Sequence, residues 1–333
     1  MRWQTLEYAA RSKMNGMLQI RDLSVSYYTD MGRAHALNHV NLELRSGEKL
    51  GLVGESGSGK STMGLAMMRM IKPPGRIEGG AVTIGGTDLL SLSDKEMLKS
   101  RLSTISYIPQ GAMNSLNPVL KIKRQMIDAH NAHRENRNTD TIMTLAREAI
   151  TSVELGEHVL EMFPHELSGG MKQRVCIAIG ILLQPQVIIA DEPTSALDVV
   201  TQRQVIETLN KVQAKIGSAL ILIGHDMGLM AQSMDKVAVM YAGEIVEVNE
   251  VETVFNAPKH PYTQSLISSL PRLENRGKFQ GIPGMAPSLY QLPDGCKFHP
   301  RCPKHFERCT SEIPLPQILE DGNYVACHLH GAS

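Results

Sequence analysis

The chain has 333 residues with 34 basic and 34 acidic side chains, so its formal net charge is zero and electrostatics alone gives it no reason to bind nucleic acid. A hydrophobic content of 42% and five cysteines fit an ordinary globular protein large enough for one big domain and an appendage. Apolar stretches such as 177–183 are cut short by Gln184-Pro185-Gln186, well under the ~18–20 residues that cross a bilayer. Glu7 and Arg11 interrupt the run that a secretory signal would need, so the expected compartment is the cytoplasm.

Residues 1–16 carry no periodicity and read as a tail. From Leu18 the pattern alternates as strands do, through Leu18-Gln19-Ile20 and Leu23-Ser24-Val25-Ser26-Tyr27, with a turn at Asp30-Met31-Gly32-Arg33 and a second strand at Val40-Asn41-Leu42-Glu43-Leu44. These short strands predict a small antiparallel sheet. Tyr27 reads either as a core aromatic or as a platform for a purine ring. The apolar run Leu50-Gly51-Leu52-Val53 then enters Gly54-Glu55-Ser56-Gly57-Ser58-Gly59-Lys60-Ser61-Thr62, and a helix is predicted over 63–71, stopped by Pro73-Pro74-Gly75. Its methionines, Met63, Met67, Met68 and Met70, suit core packing better than an adaptable binding face. A strand at 81–84, a polar helix at 93–100 and a strand at 105–108 ending in Pro109-Gln110 follow.

Between 126 and 164 the character turns helical. Ile142, Leu145, Ala146, Ala149, Ile150 and Val153 mark one buried face, and the polar run Arg134-Glu135-Asn136-Arg137-Asn138 divides the region. Strands and helices then alternate: a helix at 167–183 opened by Ser168, a strand at 187–190, a helix at 201–215 and a strand at 219–223 ending near His225. Strands that are apolar throughout predict a parallel sheet covered on both faces. A hairpin turning at Ala242-Gly243 closes the unit, and from Pro258 proline, glycine, histidine and cysteine dominate, so this last region is expected to need something other than a large apolar core.

Gly54 to Ser61 fits Gly-x4-Gly-Lys-Ser/Thr in the strand-then-helix context that the motif requires. Its backbone N–H groups, with Ser56, Gly57, Ser58, Gly59 and Thr62, would wrap a polyphosphate, Lys60 would reach the β- and γ-phosphates, and Ser61 would offer its hydroxyl to Mg²⁺. Asp191 and Glu192 follow the 187–190 strand, where one carboxylate can hold Mg²⁺ and the next can orient an attacking water. Gln110 and His225 also follow strands and can reach the same pocket, Gln110 toward Mg²⁺ or the water and His225 toward the γ-phosphate. Cys296, Cys302, Cys309 and Cys327 crowd the last forty or so residues, which in a reducing compartment reads as a metal or iron–sulfur site before disulfides. Cys176 reads as a buried helix residue.

Leu167-Ser168-Gly169-Gly170-Met171-Lys172-Gln173 resembles the signature of ATP-binding cassette (ABC) proteins. The order of phosphate loop, Gln110, signature, Asp191-Glu192, Ser195-Ala196-Leu197-Asp198 and His225 is similar to the family's whole set, over about 18–248. The resemblance implies an α/β P-loop NTPase core with an antiparallel β subdomain and a helical subdomain at about 111–165, the cassette spanning 17–256 and a small cysteine-rich region 257–333. It implies that Tyr27 stacks on adenine and that Gln110 links the site to membrane subunits. It further implies that Asp198 crosses a dimer interface, and that Ser168, Gly169 and Gly170 close on ATP held by a second cassette. Catalysis would rest on Glu192, His225, Gln110 and Lys60.

His260-Pro261-Tyr262-Thr263 and the spacing Cys-x5-Cys-x6-Cys-x17-Cys resemble ATPase subunits of oligopeptide and dipeptide importers. That resemblance implies a [4Fe-4S] cluster on the four cysteines, with tetrahedral zinc as the alternative and His299, His305, His328 and His330 as substitute ligands. It also implies a peripheral protein on the cytoplasmic face of the membrane. Its expected partners are a second, different ATPase subunit, two permeases and an extracytoplasmic solute-binding protein, and not nucleic acid. The segment Gly111-Ala112-Met113-Asn114-Ser115-Leu116-Asn117-Pro118 departs from the acid and proline that many peptide importers carry there, which leaves oligosaccharides open as cargo. A soluble ABC ATPase acting on nucleic acid or ribosomes is disfavoured by the lack of a second cassette, a coiled-coil insertion or a basic bias. A noncatalytic cassette is disfavoured by the intact Lys60, Glu192 and His225.

Overall fold

The computed structural model describes residues 17–111, 115–134, 138–195, 197–270, 281–319 and 322–330. The tail reading of 1–16, the centre of the 111–118 departure, part of the polar run at 134–138 and Ala196 lie outside the described residues.

Two sheets share the molecule. Strands β1 (Leu18–Thr29), β2 (Gly32–Leu44), β4 (Gly75–Ile84) and β5 (Thr87–Asp88) form an antiparallel sheet in the order β2-β1-β4-β5. Sequence alternation splits β1 in two, but the structure has one long strand whose register shifts between Ile20 and Leu23, so a bulge absorbs the break in pattern. The second sheet contains β3 (Lys49–Val53), β6 (Ile105–Ile108), β7 (Val187–Asp191), β8 (Ala219–Ile223), β9 (Lys236–Tyr241), β10 (Glu244–Glu250), β11 (Gln317–Ile318) and β12 (Tyr324–Val325). Its order is β11-β12-β10-β9-β3-β8-β7-β6, parallel from β6 to β9 and antiparallel beyond.

The parallel strands are apolar throughout because both faces are covered. In β8, Leu220 and Leu222 enter the core on the helical side, while Ala219, Ile221 and Ile223 enter the core shared with the antiparallel sheet; β7 divides Ile188 and Ala190 from Val187 and Ile189 in the same way. Met63, Met67 and Met68 are buried in that second core, as the packing reading expects, whereas Met70 is exposed. The helix carrying them, Lys60–Met67, is shorter than 63–71 suggests, because the chain turns left-handed at Arg69 (φ 48°). The helical insertion consists of Ile122–His133 and Thr139–Ser152, the latter capped by Asn138 and burying Ile142, Ala146, Ala149 and Ile150.

The last region departs from expectation. It does not stand apart from the apolar core: Tyr262, Ile267 and Phe298 belong to the main core, and β11 and β12 extend the main sheet through Val325. The rings of Tyr241, Tyr262 and Phe298 meet with centroids 4.6–5.3 Å apart in tilted and edge-to-face pairs, the kind of contact that adds about 0.5–1.5 kcal/mol per pair beyond burial. Glu247, wholly buried, accepts from the backbone N–H groups of Lys259 and His260 and from Asn249, which fixes the turn into the helix Pro261–Ser268. Composition hides this docking because a handful of aromatics anchors the region where a long periodic pattern would otherwise be sought.

Candidate functional site

The phosphate loop runs from the end of β3 into the helix Lys60–Met67, whose first residue is the loop lysine. Gly54 (φ 150°) and Gly59 (φ 104°) occupy backbone regions closed to other residues, and a Cβ would stand 2.2 Å from the Met240 carbonyl oxygen at the first and 2.5 Å from that of Ala36 at the second. Ser56, Gly57 and Ser61 are exposed and Ser58 is buried, so the loop presents part of its backbone outward. Lys60 is buried and donates from Nζ to the carbonyl oxygens of Gly54 and Glu55 at 2.8 and 2.9 Å and to Ser58 Oγ at 3.3 Å. Desolvation lowers its pKa, and the carboxylates of Glu192, Asp191 and Glu55 act against that shift. The loop thus cages the ammonium among its own carbonyls, an arrangement that suits an anion able to replace them.

Asp191 ends β7 and is buried; its Oδ2 accepts the Tyr107 hydroxyl at 2.6 Å, while its Oδ1 has no hydrogen-bond partner. An orphaned buried carboxylate oxygen is costly unless a cation or a proton meets it, so these residues fit Mg²⁺, with Ser61 on the first turn of the loop helix as the second expected ligand. Tyr107 escaped the sequence reading. It sits on β6, the strand that leads to Gln110, and its pairing with Asp191 became visible only when β6 and β7 paired in register.

The structure brings Glu192, Gln110 and His225 together. Gln110 Nε2 donates to Glu192 Oε2 at 2.8 Å and His225 Nδ1 lies 3.4 Å from Glu192 Oε1. Glu192 has φ 43°, a left-handed conformation unfavourable for a non-glycine residue, held by its N–H donating to the Ile223 carbonyl. This turns the carboxylate off the strand axis and into a cleft of about 220 Å³ lined also by Thr194, Gly224 and Asp226. His225 is 76% exposed, so this side of the site faces outward.

The other expected positions lie elsewhere. Ser168 caps the helix Gly169–Ile181, accepting from the Met171 N–H, and is exposed; Gly170, expected to be open, is buried with Thr201 against it, so a Cβ there would stand 2.6 Å from that methyl. Among the described residues no hydrogen bond joins Ser168, Gly169 or Gly170 to Lys60, Asp191 or Glu192. Asp198 caps the helix Val199–Ile216, and the Thr201 hydroxyl and N–H hold its carboxyl below the usual range. Tyr27 is half-buried, packed beside Gly75.

Cys296, Cys302, Cys309 and Cys327 do converge, around a cavity of about 10 Å³ shared with His260, Phe298 and His328. That is room for roughly one water molecule. Burial pushes the Cys296 thiol up to about 12 and that of Cys327 up to about 11. Among the described residues no group of three or more His, Cys, Asp or Glu side chains could hold a metal ion. The expected [4Fe-4S] cluster, its zinc alternative and the substitute histidine ligands are therefore corrected: the four thiols close an apolar packing site. Cys176, expected to be buried, is partly buried and packs against the core, which pushes its thiol up to about 12.

Comparison with known proteins agrees with this geometry. A family model described as ABC transporter matches residues 37–195, and one described as oligopeptide/dipeptide transporter, C-terminal region, matches 246–309. The chain is 41% identical over 316 residues to the oligopeptide transport ATP-binding protein OppD of Salmonella typhimurium, covering 94% of this chain and 93% of the relative. It is 39% identical over 315 residues to the dipeptide transport ATP-binding protein DppD of Escherichia coli, covering 94% and 96%. The dimeric post-hydrolysis structure of the ATP-binding cassette MJ0796 bound to ADP and Pi superposes with a TM-score of 0.62 at 28% identity, over 71% of this chain and 99% of that one. A phosphate loop, a buried carboxylate with an orphaned oxygen and the Glu192–Gln110–His225 cluster beside it, on a chain this similar over nearly its whole length, make this an ABC ATPase belonging to the family of oligopeptide/dipeptide transport ATP-binding proteins.

Proposed function

We propose that the chain is the ATP-hydrolysing subunit that powers uptake of oligopeptides or dipeptides. The observation that carries the reading is the convergence of Gln110 and His225 on Glu192, one residue beyond the orphaned Asp191 oxygen. ATP would lie along the phosphate loop with its base toward Tyr27 and its phosphates on the loop N–H groups, Lys60 exchanging carbonyl partners for phosphate oxygens. Ser61 and Asp191, with Gln110 at hand, would hold Mg²⁺, which would supply positive charge to offset that of the phosphates. Glu192 orients and deprotonates the attacking water, Gln110 fixes the Glu192 carboxylate, and His225 donates toward the γ-phosphate.

The reading extends to the assembly. Ser168, Gly169 and Gly170 serve the ATP of a second, different ATPase subunit, and the exposed Val199 and Val200 beside Asp198 supply apolar surface for that contact. Two permeases and an extracytoplasmic solute-binding protein complete it, placing the chain peripherally on the cytoplasmic face. Among the described residues no helix is long and apolar enough to cross a membrane. We divide the chain into a nucleotide-binding unit, 17–256, with its helical part near 111–165, and a smaller region, 257–333, docked on it. Relatives named for peptide transport do not favour oligosaccharides as cargo. Affinity purification from detergent-solubilised membranes tests the assembly: recovery of permease subunits is expected, and recovery of ribosomes or DNA without them overturns it.

A further inference from the structure

Glu55, the second residue of the phosphate loop, is gripped from outside the loop. Arg301 meets its carboxylate with both arms of the guanidinium, Nη1 to Oε2 at 2.6 Å and Nη2 to Oε1 at 2.9 Å. Tyr262 Oη accepts the Glu55 N–H at 2.9 Å. Neither gripping residue is free to move. Tyr262 is fully buried, and the Arg301 side chain is 5% exposed, donating also to Tyr241 Oη and the Pro283 carbonyl and lying over the Tyr241 and Phe298 rings. The carbonyl of the same Glu55 accepts from Lys60 Nζ. A continuous path therefore runs from the carboxyl-terminal region through one loop residue to the phosphate-binding lysine. The same region touches the hairpin that carries Tyr27, where the His35 N–H donates to the Leu289 carbonyl and the Thr29 hydroxyl to Tyr290 Oη.

We propose that Arg301 and Tyr262 are positioning residues for ATP, forming a latch by which the carboxyl-terminal region holds the phosphate loop in its binding shape. The proposal rests on the nucleotide reading above. An acid in a loop that must receive a triphosphate is a liability on two counts. Its charge repels the ligand, and its oxygens compete for the loop's own N–H groups. Bidentate pairing with a rigid, buried guanidinium neutralises the carboxylate and aims it away from the phosphates, which a lysine would do less well because it lacks the planar fork. The Tyr262 hydroxyl occupies the Glu55 N–H and so fixes the peptide plane whose neighbour faces Lys60. ATP binding is thereby coupled to how the carboxyl-terminal region is seated.

Titration of the full-length chain with MgATP, together with steady-state hydrolysis, tests the latch. Arg301→Gln is expected to weaken ATP binding about tenfold while kcat at saturating ATP changes less than about threefold, since the catalytic cleft is untouched. Adding Glu55→Gln to Arg301→Gln is expected to recover about threefold of the loss, because the stranded carboxylate is removed; a purely architectural role for Arg301 predicts no recovery. Tyr262→Phe keeps the ring and loses one hydrogen bond, and is expected to cost severalfold in affinity, which decides the matter should Arg301→Gln not fold. Wild-type affinity in a folded Arg301→Gln or in Tyr262→Phe, or a double variant no better than Arg301→Gln, overturns the latch. Failure of the wild-type chain to bind MgATP overturns the nucleotide reading itself.

Discussion

The two ends of the nucleotide site are built in opposite ways. At the Glu192 end the working groups are open: His225 is largely exposed, its contact with Glu192 is 3.4 Å, and Gln110 is held by one hydrogen bond. At the Glu55 end the gripping groups are closed: the arginine side chain, two tyrosines and a phenylalanine are buried and packed against one another, and only Glu55 itself is part-exposed. The groups proposed to meet a water and a phosphate make few hydrogen bonds, while Arg301, proposed to keep the loop in shape, makes several. Chemistry and positioning thus fall on different surfaces, and substitutions at the two ends are expected to differ in kind.

At the open end, Glu192→Gln should lower kcat for ATP hydrolysis by about 10²–10⁴-fold while leaving ATP binding and thermal stability near wild type. Near-normal turnover would remove Glu192 from its role as the base. Phe298→Ala at the closed end should reverse that pattern, costing about 3–5 kcal/mol in urea unfolding through the cavity it leaves among Tyr241, Tyr262 and Arg301. A loss under about 1 kcal/mol would mean that the carboxyl-terminal region is not part of the cooperative core.

His260 carries the contrast into pH. It is wholly buried near His330, its Nδ1 accepting the Tyr262 N–H, and burial first and His330 second push its pKa down to about 3. Its unfolded value is near 6.5, so between these values the unfolded chain binds a proton that the folded chain refuses. Stability from this group is complete above about pH 6.5 and falls by up to about 1.4 kcal/mol for each unit below, until the folded group also titrates near 3. His260→Asn, which keeps an acceptor for the Tyr262 N–H, should flatten the dependence of the urea midpoint on pH across that window. An unchanged slope would assign the acid sensitivity to other groups. The smallest effect is expected at Asp198, exposed and capping the helix Val199–Ile216: Asp198→Ala should lower the melting temperature only slightly. A large drop would show that its loop is tied down rather than left free for a partner.

Sequence by itself picked out the residues that meet at the open end. The phosphate loop, Asp191, Glu192, Gln110 and His225 are readable because each belongs to a local unit, a strand end or a glycine turn, whose geometry follows from neighbours in the chain. The same holds for β7 and β8, apolar throughout and covered on both faces. Tertiary structure alone decided the closed end. Glu55 and Arg301 stand 246 positions apart, Tyr262 and Glu55 207 apart, and Tyr107 and Asp191 84 apart, and no local periodicity links residues that meet through a sheet or across a core. The cysteines make the point from the other side. Their spacing resembles a metal site, yet whether four thiols become ligands depends on burial and on the room between them, and here both give an apolar packing site. Spacing along a chain specifies which groups can meet; desolvation and volume, set only when the core closes, specify what they do there.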